Sequence, residues 1–286
     1  MITYKVIDTD NPNLPIHIDK KEFYTLETFH PFFMKFTNIV ECLINFNQSK
    51  KRLLDFMKNT CDQSLPSLEF IYPDFKFLFF SNALFGRILI DNIRSNFNQL
   101  KIPQNDSIII FEQRDEFKMM KILRDFGLHF SSPITDCANN SSFSSSIQTL
   151  EIYTDKSELK GNKTTNKQNK EFIASLKSEK INLIPYFNDW CDSIDELFDV
   201  VLSEFHNIMP RDVNVLLKKY FNPSIDIRKE FTLIFPNTIQ KQEELDGIFI
   251  NEEGSRYSIS TPLCSYRFPR TTLKYLLFEN PLQKDA

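Results

Sequence analysis

The chain has 286 residues, with 34 Lys and Arg against 38 Asp and Glu and a formal net charge of −4. Its 41% hydrophobic and 25% charged content is that of a globular protein and excludes disorder throughout. The slight acidity excludes a chain-wide basic surface for nucleic acid or anionic lipid.

Residues 2–8 alternate apolar and polar and predict a strand, and Asn11 to Pro15 supplies turn chemistry. Ile16 and Ile18 alternate again, so the chain is expected to open with a hairpin. Pro31 suits the first turn of a helix, and Phe32, Phe36, Ile39, Val40, Leu43 and Ile44 give that helix one broad apolar face. Ser49 is expected to cap a second helix carrying Leu53, Leu54, Phe56 and Met57, with Lys50, Lys51, Arg52 and Lys58 beside them.

The run Phe75 to Phe80 is open between strand and buried helix. Arg87 to Ile90 and Ser107 to Phe111 predict strands, the second as a continuous apolar run of the buried kind. Residues 113–126 predict a helix that turns Phe117, Met120, Ile122 and Leu123 inward and ends at Gly127.

From 131 to 146 the chain becomes rich in Ser and Asn, and Leu150 to Tyr153 predicts a short strand. Lys160 to Lys170 is polar and basic with no apolar period, so it is expected as a mobile linker. Residues 181–187 predict a strand ending at Pro185.

Ser193 to Met209 is the clearest helix. Ser193 and Glu196 match a capping box, and Ile194, Leu197, Phe198, Val201, Leu202, Phe205 and Met209 form one stripe. Pro210 ends it, and Asp212 to Phe221 predicts a second helix, so 193–221 is expected as a helical hairpin. No Lys or Arg occurs from Asp189 to Pro210, which leaves Asp189, Asp192, Asp195, Glu196, Asp199 and Glu204 as a face of one sign. Further on, 231–235 and 247–250 predict strands, Asn251 to Gly254 a hairpin turn, 256–260 a returning strand, and 271–278 a final helix or strand.

The motifs of common chemistries are absent. The five glycines, Gly86, Gly127, Gly161, Gly247 and Gly254, are too scattered to form a phosphate-cradling loop. Zinc hydrolase and serine hydrolase signatures do not occur. The best nucleophile set is Cys191, His206 and Asp189 or Asp192, but about fifteen helical residues put His206 roughly 20 Å from Cys191. Asp189, Asp192, Asp195 and Asp199 lack the glycine of a calcium loop. No metal or cofactor is therefore expected.

Five cysteines, odd in number and without C-x-x-C, point to reduced thiols, and no secretory or membrane-spanning run occurs. A cytoplasmic or nuclear protein is expected. The 29 Phe residues fit both AT-rich codon usage and an aromatic docking surface.

The sequence thus predicts an α+β fold. Two lobes of short strands and amphipathic helices, 1–130 and 171–286, are joined by the polar segment 131–170. The expected function is that of a non-enzymatic adaptor subunit of a multiprotein complex. Asp189, Trp190, Asp192, Asp195 and Asp199 would meet a partner with a basic surface. The alternatives are an enzyme with dispersed catalytic residues, and a nucleic-acid-binding accessory protein using Lys50, Lys51 and Arg52 or the 160–170 segment. No small-molecule substrate is identified.

Overall fold

Helices carry most of the described chain, and the balanced two-lobe α+β architecture expected from the sequence is wrong. The computed structural model describes residues 4–8, 16–62, 68–102, 105–129, 133–141, 148–161, 166–221, 230–234, 248–250, 256–258 and 265–277. In chain order the elements are β1 (Tyr4–Asp8), β2 (Ile16–Ile18), α1 (Lys20–Asp62), α2 (Leu68–Leu100), α3 (Asn105–Glu112), α4 (Asp115–His129), β3 (Ile134–Ser141), β4 (Gln148–Asp155) and α5 (Lys156–Gly161). They continue with α6 (Lys167–Ser175), β5 (Lys180–Asn182), α7 (Ile184–Ile208), α8 (Arg211–Tyr220), β6 (Glu230–Ile234), β7 (Ile248–Ile250), β8 (Arg256–Ser258), β9 (Ser265–Pro269) and α9 (Arg270–Leu277).

The strands expected at 87–90 and 107–111 are helical, inside α2 and α3. In α2 the buried positions Phe75, Phe79, Ala83, Ile90, Ile93 and Phe97 recur at helical spacing, but Phe77 and Ile88 on the outer face are apolar too. Likewise α3 buries Ile108 and Phe111 and exposes Ile109 and Ile110. Apolar residues on both faces erase the contrast that reveals a helical period.

Helix α1 is also longer than expected. It starts at Lys20, eleven residues before Pro31, and runs unbroken through Ser49. Asp19 caps it, its Oδ1 accepting from the Lys21 N–H at 2.7 Å. Ser49 is buried inside the helix; its hydroxyl donates to the Phe46 carbonyl at 2.7 Å and accepts from Asn82 Nδ2 at 3.2 Å.

The chain divides into two compact units, residues 38–201 and residues 1–37 with 202–286. The division falls inside α1 and α7, not at 131–170. That segment, expected as a joint, holds β3, β4, α5 and the start of α6; its residues 131–132, 142–147 and 162–165 lie outside the described residues, as does the turn expected at 251–254.

In the unit 38–201, α2 packs on α3 and α4, and β3, β4 and β5 form an antiparallel sheet in that order. Its core is aromatic: Phe46, Phe79, Phe97, Phe117, Phe187, Trp190 and Phe198 are all under 3% exposed. Two of the five glycines serve packing. A Cβ on Gly86 would collide with the Trp190 ring, and one on Gly127, inside α4 and not at its end, with the Phe80 ring. Lys156 is buried at the start of α5, where its ammonium donates to the carbonyls of Ala174, at 3.1 Å, and Leu176, closing the end of α6 with a cation.

In the other unit, the expected hairpin β1–β2 forms with Tyr4 opposite Ile18. It is the edge of a four-stranded antiparallel sheet in the order β2-β1-β6-β9, with Lys5 opposite Ile234 and Phe231 opposite Phe268. Phe268 is fully buried, its ring 4.8 Å from that of Phe33 and 4.9 Å from that of Phe221. The predicted α8 face is the observed one: Val213, Leu216, Leu217 and Tyr220 are buried, and Lys218 and Lys219 are exposed.

Candidate functional site

The acidic helix face is smaller than its sequence suggests. α7 begins at Ile184, so Ser193 lies mid-helix and caps nothing. Its buried hydroxyl accepts from Arg114 Nη1 at 2.9 Å and donates to Glu116 Oε1 at 2.6 Å. The same Arg114 nitrogen donates to Glu196 Oε2 at 2.7 Å. Asp195 is paired with Lys50 at 3.1 Å, which joins the candidate acidic face to the candidate basic cluster. Asp189, Asp192 and Asp199 remain exposed. The Asp199 carboxyl is pushed up from its ordinary range by partial burial and then by the charge of Asp195.

Trp190 is not on that face. It is completely buried, its ring edge-on to those of Phe117, at 4.8 Å, and Phe46, at 6.2 Å. A partner surface built on Trp190 is therefore corrected to a core position. Lys51, Arg52 and Lys58 are exposed, but with Lys50 held by Asp195 the basic cluster is reduced.

The nucleophile set does not assemble either. Cys191 sits inside α7 and is buried, and loss of solvent pushes its thiol up to about 12. A thiol so disposed is inert at neutral pH. His206 Nε2–H donates to the Leu276 carbonyl at 2.8 Å, at the last turn of α9. Among the described residues no group of three or more His, Cys, Asp or Glu is placed to hold a metal ion. No helix of the described residues is long and apolar enough to cross a membrane.

An open surface lies in the unit 1–37 with 202–286, between the start of α1 and the α7–α8 corner. A groove of about 650 Å³ is lined by Tyr24, Phe29, Phe32, Ile208, Pro210 and Val213, among others. A second cavity of about 550 Å³ shares Lys21, Thr25 and Asp212 with it and extends to Val215 and Leu216. Tyr24 is 44% exposed, Ile208 39% and Val215 64%. The hydroxyls of Thr25 and Thr28 donate to the carbonyls of Lys21 and Tyr24 one turn back, at 3.0 and 2.8 Å. Their donors are thus spent, and the threonines add little unsatisfied polarity to the lining.

Two ties fix the walls. Lys219 Nζ donates to both oxygens of Glu22, at 2.7 and 3.0 Å, and the Tyr220 hydroxyl donates to Glu22 Oε2. Lys219, then Tyr220, hold the Glu22 carboxyl below its ordinary range. The rim carries both signs, Asp19 and Asp212 against Lys21 and Arg211, so apolar area and not net charge is what the groove offers.

No family model, no curated protein and no solved structure matches this chain.

The groove residues are absent from the candidates that the sequence suggests. The signal was present: Asp19 and Glu22 have capping-box spacing, and Phe23, Leu26, Phe29, Phe33 and Phe36 follow at helical intervals.

Proposed function

We propose that the protein is a non-enzymatic interaction subunit, and that the groove between α1 and the α7–α8 corner receives the apolar face of an amphipathic helix from a partner protein. The single observation that carries this reading is the pair of confluent cavities. Together they expose Tyr24, Ile208 and Val215 over a floor of Phe29, Phe32 and Val213. Contiguous exposed apolar surface of this kind marks partner sites, and a groove is the shape into which helical anchors fit. Asp189, Asp192 and Asp199, on the exposed face of α7, offer a second contact to basic side chains of a partner. The free thiols of Cys42, Cys137 and Cys191 support a reducing compartment, cytoplasm or nucleus.

The test compares the native chain with Ile208→Asp and Val215→Asp in affinity capture from the native source, followed by size-exclusion chromatography of the complex. Both positions are exposed, so each change should move stability by no more than about 0.5 kcal/mol. A stoichiometric protein partner should be captured by the native chain and lost by both variants. A chain that stays alone, or a partner retained equally by both variants, overturns the proposal.

A further inference from the structure

A second cavity, in the unit 38–201, has the opposite chemistry. It has a volume of about 490 Å³ and lies between the start of α4 and α6 from Gln168 to Ser175, beside Arg87 of α2 and the C-terminal end of α3. That volume lies within the ordinary range for small-molecule sites.

Its charged groups are mostly spent on one another. Arg87, 4% exposed, donates to Glu112 Oε1 at 3.0 Å and to Asp91 Oδ1 at 3.4 Å, while Arg94 takes the other oxygen of Glu112. Lys118 is held by Asp115 at 3.2 Å, and Glu171 lies 3.8 Å from Lys167. Two groups remain. Lys121 lines the cleft and has no carboxylate partner among the described residues. Asn169, 5% exposed, lines it too; its backbone N–H is taken by the Asn166 side chain, but its own amide group makes no hydrogen bond among the described residues.

That amide is open to the cleft and free to donate to a bound group. An ammonium without a carboxylate partner lining the same cleft selects an oxyanion. We propose that this cleft binds a small molecule through a carboxylate or phosphate group, with Lys121 pairing its charge and the Asn169 amide donating to one of its oxygens. The proposal is independent of the groove in the other unit.

Inorganic phosphate, AMP and citrate, at millimolar concentration and matched ionic strength, are the probes, read by isothermal titration and thermal unfolding. Saturable binding by at least one is expected, with the affinity about tenfold or more weaker in Lys121→Met and in Asn169→Leu. Lys170→Met, on the same helix but outside the cleft, should bind as the native chain does. Saturation by citrate alone assigns a carboxylate ligand, by phosphate or AMP alone a phosphoryl ligand, and by both the oxyanion class as a whole. The absence of saturable binding by all three probes overturns the proposal. So does binding unchanged in Lys121→Met, a half-exposed position whose substitution leaves the core intact.

Discussion

The two units reach closure in different ways. Residues 38–201 are contiguous, and they seal a helical core around Trp190 with the ion pairs Lys50–Asp195, Arg87–Glu112 and Arg114–Glu196 outside it. The other unit joins chain segments about two hundred residues apart, with Lys5 opposite Ile234, Glu22 bound to Lys219 and Glu27 to the Tyr266 hydroxyl. Such closure costs more chain entropy before any contact repays it. It is also the unit that leaves an apolar groove open.

The sharpest way to break this comparison is at Trp190. Trp190→Ala empties a site walled by Phe46 and Phe117 and should cost about 3–5 kcal/mol in urea denaturation followed by circular dichroism. A loss near 1 kcal/mol would mean that the ring is not the keystone of its unit. Gly86→Ala approaches the same ring from the other side. The added methyl would meet Trp190 Cε2 at 2.9 Å and Phe46 Cε2 at 3.2 Å, so overpacking of about 1–3 kcal/mol is expected. The emission of Trp190, the only tryptophan, should shift as its ring is displaced.

A smaller effect tests the ionic pairing. Lys50→Met removes the partner of Asp195, and with side chains 24% and 38% exposed the pair should contribute no more than about 1 kcal/mol, falling as salt rises. A larger loss, insensitive to salt, would show that Lys50 holds the unit by packing of its stem.

What the sequence made legible was amphipathic contrast. Both stripes of the helical hairpin were readable because polar residues outline them: the seven apolar positions from Ile194 to Met209 are all under 9% exposed, as are those of α8. The burial of Trp190 is readable from the same stripe. It stands four residues before Ile194, on the stripe, while Asp189, Asp192 and Asp199 fall outside it. Proximity in sequence to acids is not proximity on a face. α2 was hidden by apolar residues on both faces. The β1–β6 pairing had no local signature, because strand partners so remote are chosen by the assembled sheet and not by either segment alone. The groove inherits both problems, since one wall is the unexpected start of α1 and the other belongs to the far end of the chain.

The gentlest test uses acid, and it reads the unit of remote closure. His30 lies against the rings of Tyr266 and Phe268 at 4.9 and 5.2 Å, and its Nε2–H donates to the Arg267 carbonyl at 2.9 Å. Burial lowers its pKa, opposed by that hydrogen bond. Folding therefore favours the neutral ring. As pH falls below about 6.5 the unfolded chain takes up the proton first, and stability declines until the folded ring is protonated as well. Glu22 adds a second, lower step. Its depressed carboxyl contributes stability that is full above about pH 4.3 and is lost as pH falls through the folded value. Urea midpoints measured from about pH 7 down to 5 should fall for the native chain and flatten in His30→Gln, which keeps a donor for Arg267 but cannot titrate. If the variant declines as steeply as the native chain, the acid sensitivity lies elsewhere, and the packing of β9 against α1 is not what acid loosens first.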